Sequence, residues 1–133
     1  MASILRVDTL TDASSNNSVA TSVLFGGSGK AWINMNGTGT IAIRDSYNIA
    51  SITDNGTGDH TQTFTSAFTN NDYAPAATSQ DDESDTSNHT TSYPTIYRST
   101  TGLATSAMRL GTGSGSTRYD ITGIFASVHG DLA

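Results

Sequence analysis

The residues able to do chemistry are few and scattered. Gly26-Gly27-Ser28-Gly29-Lys30 has the look of a phosphate loop, in which backbone N–H groups cradle an anion and a Lys reaches it. That motif also needs a Gly at the position of Leu24 and a Ser or Thr at the position of Ala31, and no amphipathic helix is expected to follow and supply an anion-binding terminus. The segment reads as a flexible connector. His60, His89 and His129 stand far apart, without the local pairing that marks most metal sites; His60 and His89 read as solvated loop residues. Asp81, Asp82, Glu83 and Asp85 form the chain's acidic cluster. They lack the D-x-[DN]-x-[DN]-G spacing of a preformed Ca²⁺ loop, so a solvated loop tip is expected. Glu83 is the only Glu, which leaves no obvious carboxylate pair for glycoside hydrolysis. There is no G-x-S-x-G elbow and no Cys. The expectation is a non-enzymatic chain with no cofactor and no metal. Among the aromatics, Trp32, Tyr47 and Tyr119 fall on strand-like segments and are expected in the core or at a contact. Tyr73, Tyr93 and Tyr97 flank a long polar stretch and are freer to face a partner.

The composition narrows the class further. The chain has 133 residues, one domain's worth. Hydrophobic residues make up 35% and charged residues 14%, both below the usual share. About 40 Ser and Thr and 13 Gly fill the gap. With one Lys and one Glu, the good surface helix formers are nearly absent, which argues against a helical protein. A net charge of -6 is too small for a disordered polyelectrolyte and has the wrong sign for nucleic-acid binding, which draws on clustered Lys and Arg. The six cationic residues occur singly. No apolar run approaches the ~18 residues of a membrane span, and MASILRVDTLTD lacks the apolar stretch of a signal peptide. Neither membrane insertion nor secretion is expected.

Strand-like segments must position these residues. Ala31, Ile33 and Met35 alternate with Trp32, Asn34 and Asn36, the period of a half-buried strand. Asn36-Gly37 follows, a strong hairpin signal. Ile41 and Ile43 resume the alternation, and Tyr47, Ile49 and Ile52 read as a further strand. Asp54-Asn55-Gly56-Thr57-Gly58-Asp59 reads as a second tight turn, leading into Thr61, Thr63 and Thr65 on one face with Gln62 and Phe64 on the other. Ala74 to Ser92 shows no periodicity and reads as one long loop. Near the end, Tyr119, Ile121 and Phe125 share a face of a last strand, with Ile124, Ala126 and Val128 on the opposite one after a bulge at Gly123. Being apolar on both sides, that strand should be central or at a subunit contact. Short strands with frequent turn signals predict an all-β, antiparallel β-sandwich, jelly-roll-like, over residues 30–133. Residues 1–29 carry too few hydrophobes to order themselves. They predict an extended N-terminal arm with neither a convincing hairpin nor more than one helical turn.

Two stretches carry a resemblance. Ala31-Trp32-Ile33-Asn34-Met35-Asn36-Gly37-Thr38-Gly39-Thr40-Ile41-Ala42-Ile43-Arg44-Asp45-Ser46-Tyr47-Asn48-Ile49, continuing through Ser51 to Asp59, resembles a segment of tail-fibre and other virion structural proteins of tailed bacteriophages, notably phages of marine bacteria and cyanobacteria. Leu5-Arg6-Val7-Asp8-Thr9-Leu10 is similar to the start of many phage fibre proteins. Together they cover roughly a third of the chain. The resemblance implies a non-enzymatic structural subunit, commonly a homotrimer, located in the virion and assembled in the host cytoplasm. A hydrophobe-poor, cysteine-free domain draws stability from oligomer contacts, which agrees. On this reading Ile4, Leu5, Val7, Leu10, Trp32, Tyr119 and Phe125 serve assembly and attachment to other virion proteins. Tyr73, Asp81, Asp82, Glu83, His89 and Tyr93 face a host-surface glycan or protein. A short trimeric tail-fibre or knob protein leads. A capsid decoration (cement) or head-fibre protein is the alternative, because there is no shaft repeat; a carbohydrate-processing enzyme is a third.

Overall fold

The computed structural model describes residues 6–15, 17–80, 93–97, 105–114 and 117–133. The elements run β1 (Thr9–Thr11), β2 (Ser18–Ala20), α1 (Thr21–Gly27), β3 (Ala31–Asn36), β4 (Ala42–Tyr47), β5 (Ile49–Asp54) and β6 (Asp59–Phe64). They continue with β7 (Ala74–Gln80), β8 (Tyr93–Tyr97), β9 (Ala107–Ser114), β10 (Thr117–Arg118) and β11 (Gly123–His129). Beside the β1-β2 hairpin, two antiparallel sheets form a sandwich. One has the order β4-β3-β11-β7; the other has the order β5-β6-β9-β10, with β8 on the opposite edge of β9. The fold is the expected all-β antiparallel sandwich.

Its core follows from period two. Ala31, Ile33 and Met35 point inward from β3, and Ile124, Ala126 and Val128 from β11. Phe64 from β6 and Met108 and Leu110 from β9 complete the interior from the facing sheet. As its two apolar faces required, β11 lies centrally, between β3 and β7. Its start differs from expectation. The strand begins at Gly123, leaving Tyr119 and Ile121 in the approach to it, and its register with β7 is unbroken from Gly123 to His129. Gly123 is there for space instead of a bulge: a Cβ would lie 3.2 Å from Gln80 and from the Phe125 ring.

Three other expectations are corrected. Asn36-Gly37 does not form a two-residue hairpin turn. The β3-β4 connection runs from Gly37 to Ile41, folded around the Asn36 side chain, whose Nδ2 donates to Thr38 O at 2.7 Å. Its left-handed residue is Gly39, with φ 60°. Tyr47 and Ile49 are not one strand. At Asn48, with φ 58°, the chain leaves one sheet for the other. Finally, the first part of the Ala74–Ser92 stretch is strand β7, which pairs with β11 over seven residues. Its Ala, Ser and Thr offer little contrast between faces, so periodicity could not reveal it. As an edge strand it tolerates Pro75. The segment 81–92 lies outside the described residues. The Asp54-to-Asp59 turn, by contrast, joins β5 to β6 as expected, with Gly56 and Gly58 at φ 118° and 61°.

The N-terminal arm is more structured than expected. It holds the β1-β2 hairpin and a two-turn helix, α1. The hairpin turn is tied by Asn17 Nδ2 donating to Asp12 at 2.7 Å, with Ser15 at φ 56°. Yet no described residue of this arm is buried.

Candidate functional site

The outer face of the β4-β3-β11-β7 sheet carries the site. Pairing across these strands lines residues into rows that project to one side. One row is Tyr47, Trp32, Ser127 and Ala76; the next is Asp45, Asn34, Phe125 and Thr78. Trp32 remains 39% exposed and Tyr47 54%, so two large aromatics sit side by side in solvent. Between them and β7, where the small side chains Ala76 and Thr78 leave room, lies a shallow groove of about 410 Å³. Phe125 is half-buried in its wall. The bulge that inserts Arg44 into β4 opposite Asn34 and Met35 strengthens the local twist. Asn34 Oδ1, on the groove, is shielded from solvent without a hydrogen-bond partner. This is an acceptor awaiting a donor, since shielded polar atoms are nearly always paired.

A second exposed surface lies on the arm. Val7 and Leu10 are 39% and 43% exposed, and Val23, Leu24 and Phe25 on α1 are 63%, 43% and 69% exposed. Three consecutive helical residues span about 200° of the circumference, and no residue of α1 is buried. Lys30 Nζ donates to the Phe25 carbonyl and, at 2.8 Å, to Ser28 Oγ. That places a cation at the C-terminal end of the helix, where its dipole favours one.

The residues expected at the site divide accordingly. Val7, Leu10 and Trp32 are exposed apolar groups; Tyr119 and Phe125 are half-buried. Ile4 and Leu5 lie outside the described residues, as do Asp81, Asp82, Glu83 and His89. Tyr93 belongs to β8, paired with Gly113. Tyr73 does not face a partner. It is buried, its ring 4.7 Å from Phe68 and 5.9 Å from Phe64, and its hydroxyl donates to Ala107 O at 3.2 Å. Trp32 and Tyr47 are not core residues. The sequence reading missed Val23, Leu24 and Phe25 as surface groups. The signal was present: three consecutive apolar residues running into Gly26 and Gly27, a pattern of neither helical nor strand period.

The polar interior was not foreseen either. His60 is fully buried on β6 instead of solvated in a loop, and neither ring nitrogen has a hydrogen-bond partner. Gln62 beside it donates from Nε2 to Met35 Sδ at 3.5 Å, and its Oε1 has no partner. Asp59, also buried, accepts from Arg109 Nε at 2.6 Å and pairs with Arg118. The Arg109 hydrogen bonds, with Arg118 adding to them against the opposing effect of burial, hold the Asp59 carboxyl below the ordinary carboxylate range. Among the described residues no three His, Asp or Glu side chains gather as a metal site, and no helix is long and apolar enough to cross a membrane. No family model, curated protein or solved structure matches the chain.

Proposed function

We propose that the chain is a non-enzymatic structural subunit of a bacteriophage virion, a short trimeric knob or tail-fibre protein. Its arm serves oligomer assembly and attachment to other virion proteins, and its segment around Asp81, Asp82, Glu83, His89 and Tyr93 faces the host surface. The observation that carries the reading is the set of large apolar residues left in solvent on two surfaces, the arm and the outer sheet face. Contiguous apolar patches of this kind mark contact sites. An isolated hairpin and a two-turn helix are marginal in water, so the arm's structure calls for a partner. The resemblance of the Ala31-to-Asp59 segment to virion proteins supplies the setting.

Electron microscopy of intact particles, with an antibody raised against this chain, tests the proposal. Labelling at a tail or fibre tip, at a few dozen copies or fewer, is the expected result. Labelling over the whole shell in hundreds of copies assigns the chain to capsid decoration. Absence from purified particles overturns the virion reading altogether.

A further inference from the structure

We infer that the two exposed apolar surfaces are the two halves of one contact: α1 of one copy docks by Val23, Leu24 and Phe25 into the groove lined by Trp32 and Phe125, with Tyr47 paired beside Trp32, on a second copy. The inference deepens the reading above and rests on its premise that the chain assembles with itself.

The chain supplies both a protruding apolar helix and a shallow apolar groove, and α1 does not line its own groove. The helix has no side-chain N-cap, since Ala20 occupies that position, and Gly26 and Gly27 fall in its last turn. Such a helix holds its shape only against another surface. Its exit is fixed by Lys30, which ties back to Phe25 and Ser28 and whose own N–H donates to Val128 O at 2.8 Å. The groove is lined by the small side chains Ala76, Ala77, Thr78 and Ser127 and by the aromatics Trp32 and Phe125, a lining that suits a large apolar side chain.

Area decides the form of the assembly. A large aromatic side chain presents roughly 150–250 Å². The exposed parts of Phe25, Trp32 and Tyr47 therefore come to about 300–350 Å². Val23, Leu24 and the groove walls bring one helix-in-groove contact to roughly 600 Å². A stable interface needs about 1,000–1,200 Å², so a single contact falls short. Donor and acceptor are different patches, so the assembly closes, as a reciprocal pair or a ring, where the rotation between copies permits it. In a closed ring each chain makes two such contacts and reaches the required range. Assembly should then be all-or-none, with no open pair populated.

The cysteine-free chain allows a direct test on the full-length protein. Phe25→Cys and Ser127→Cys variants, prepared separately and mixed under mild oxidation, are expected to form a disulfide between copies. Phe25→Ser, at a position 69% exposed within its own chain, is expected to weaken assembly in sedimentation about thirty-fold or more while leaving the β-sheet circular dichroism signal unchanged. If the wild type assembles but Phe25→Ser assembles equally and the mixed disulfide is absent, the docking is wrong and the self-assembly reading survives. A wild type that stays monomeric at every concentration removes both. A disulfide within one chain of the Phe25→Cys, Ser127→Cys double variant, with the chain remaining a monomer, places the helix on its own groove and overturns the inference.

Discussion

Asp59 shows how a single polar residue is made tolerable inside a hydrophobe-poor sandwich. Two Arg side chains reach its carboxylate, and Asn55 Nδ2 adds a contact at 3.4 Å. Its carboxyl is held below the ordinary range, so the folded state binds the proton less readily than the unfolded chain. The resulting stability is fully present above the unfolded value, about 3.9. It is lost as the pH falls through the lower folded value. Denaturant unfolding of Asp59→Asn at neutral pH is expected to show a loss of about 1–3 kcal/mol. Its stability should also fall less between pH 5 and pH 3 than that of the wild type. His60 and Gln62 are the opposite case, because they are shielded without full partners. Replacing an unsatisfied polar group by an apolar one of similar shape is neutral or favourable. Gln62→Met, beside Met35, is therefore expected to leave the thermal midpoint unchanged or raise it by a few degrees. The sequence concealed this interior because the inward positions of β6 carry His and Gln while the outward ones carry β-branched Thr. A reading by hydrophobicity cannot tell which side is which.

At the scale of elements, turns and corners decide the architecture more than strand propensity does. Asn48 carries the chain from one sheet to the other in a single left-handed residue. Its side chain clamps the start of the next crossing, with Oδ1 accepting from Ser66 N at 2.7 Å and Nδ2 donating to Ser66 O at 3.1 Å. Asn is among the few side chains that adopt this conformation readily. Asn48→Gly should keep the backbone and lose the clamp; Asn48→Ala should lose both. Chemical unfolding is expected to rank them in that order, with losses of about 1 and 2 kcal/mol. Gly37 matters for another reason: a Cβ there would come within 2.7 Å of Ile124 Cδ1 and 2.8 Å of Ile121 O. Gly37→Ala is expected to cost about 1–3 kcal/mol by overpacking, measured in the same experiment. These details explain which elements were legible. The alternation in β3 and the Gly-rich turn before β6 are local signals, written in adjacent residues. The corner at Asn48 interrupts an otherwise continuous apolar pattern without changing it. β7 lacks contrast because its Ala, Ser and Thr are small on both faces.

For the whole molecule, the decisive fact is where the apolar surface lies. The sandwich encloses a continuous core from Ala31 to Leu132, and the C-terminal residues are pinned to it through Ala133 N donating to Ala67 O at 2.9 Å. No described residue of the arm belongs to that core. Removing residues 1–28 should therefore leave the intrinsic stability of the sandwich within about 1 kcal/mol, since surface changes away from core and caps are small. The effect on the assembled protein should be large. Binding that favours the folded state raises the unfolding temperature with concentration. The full chain is accordingly expected to melt at a midpoint that climbs as protein concentration increases, and the shortened chain at a midpoint that does not. Calorimetry of both over a hundredfold range of concentration separates the contributions. If the two midpoints coincide and neither moves with concentration, the sandwich owes nothing to its neighbours. The exposed aromatics on its outer sheet would then serve a ligand other than another copy of the chain.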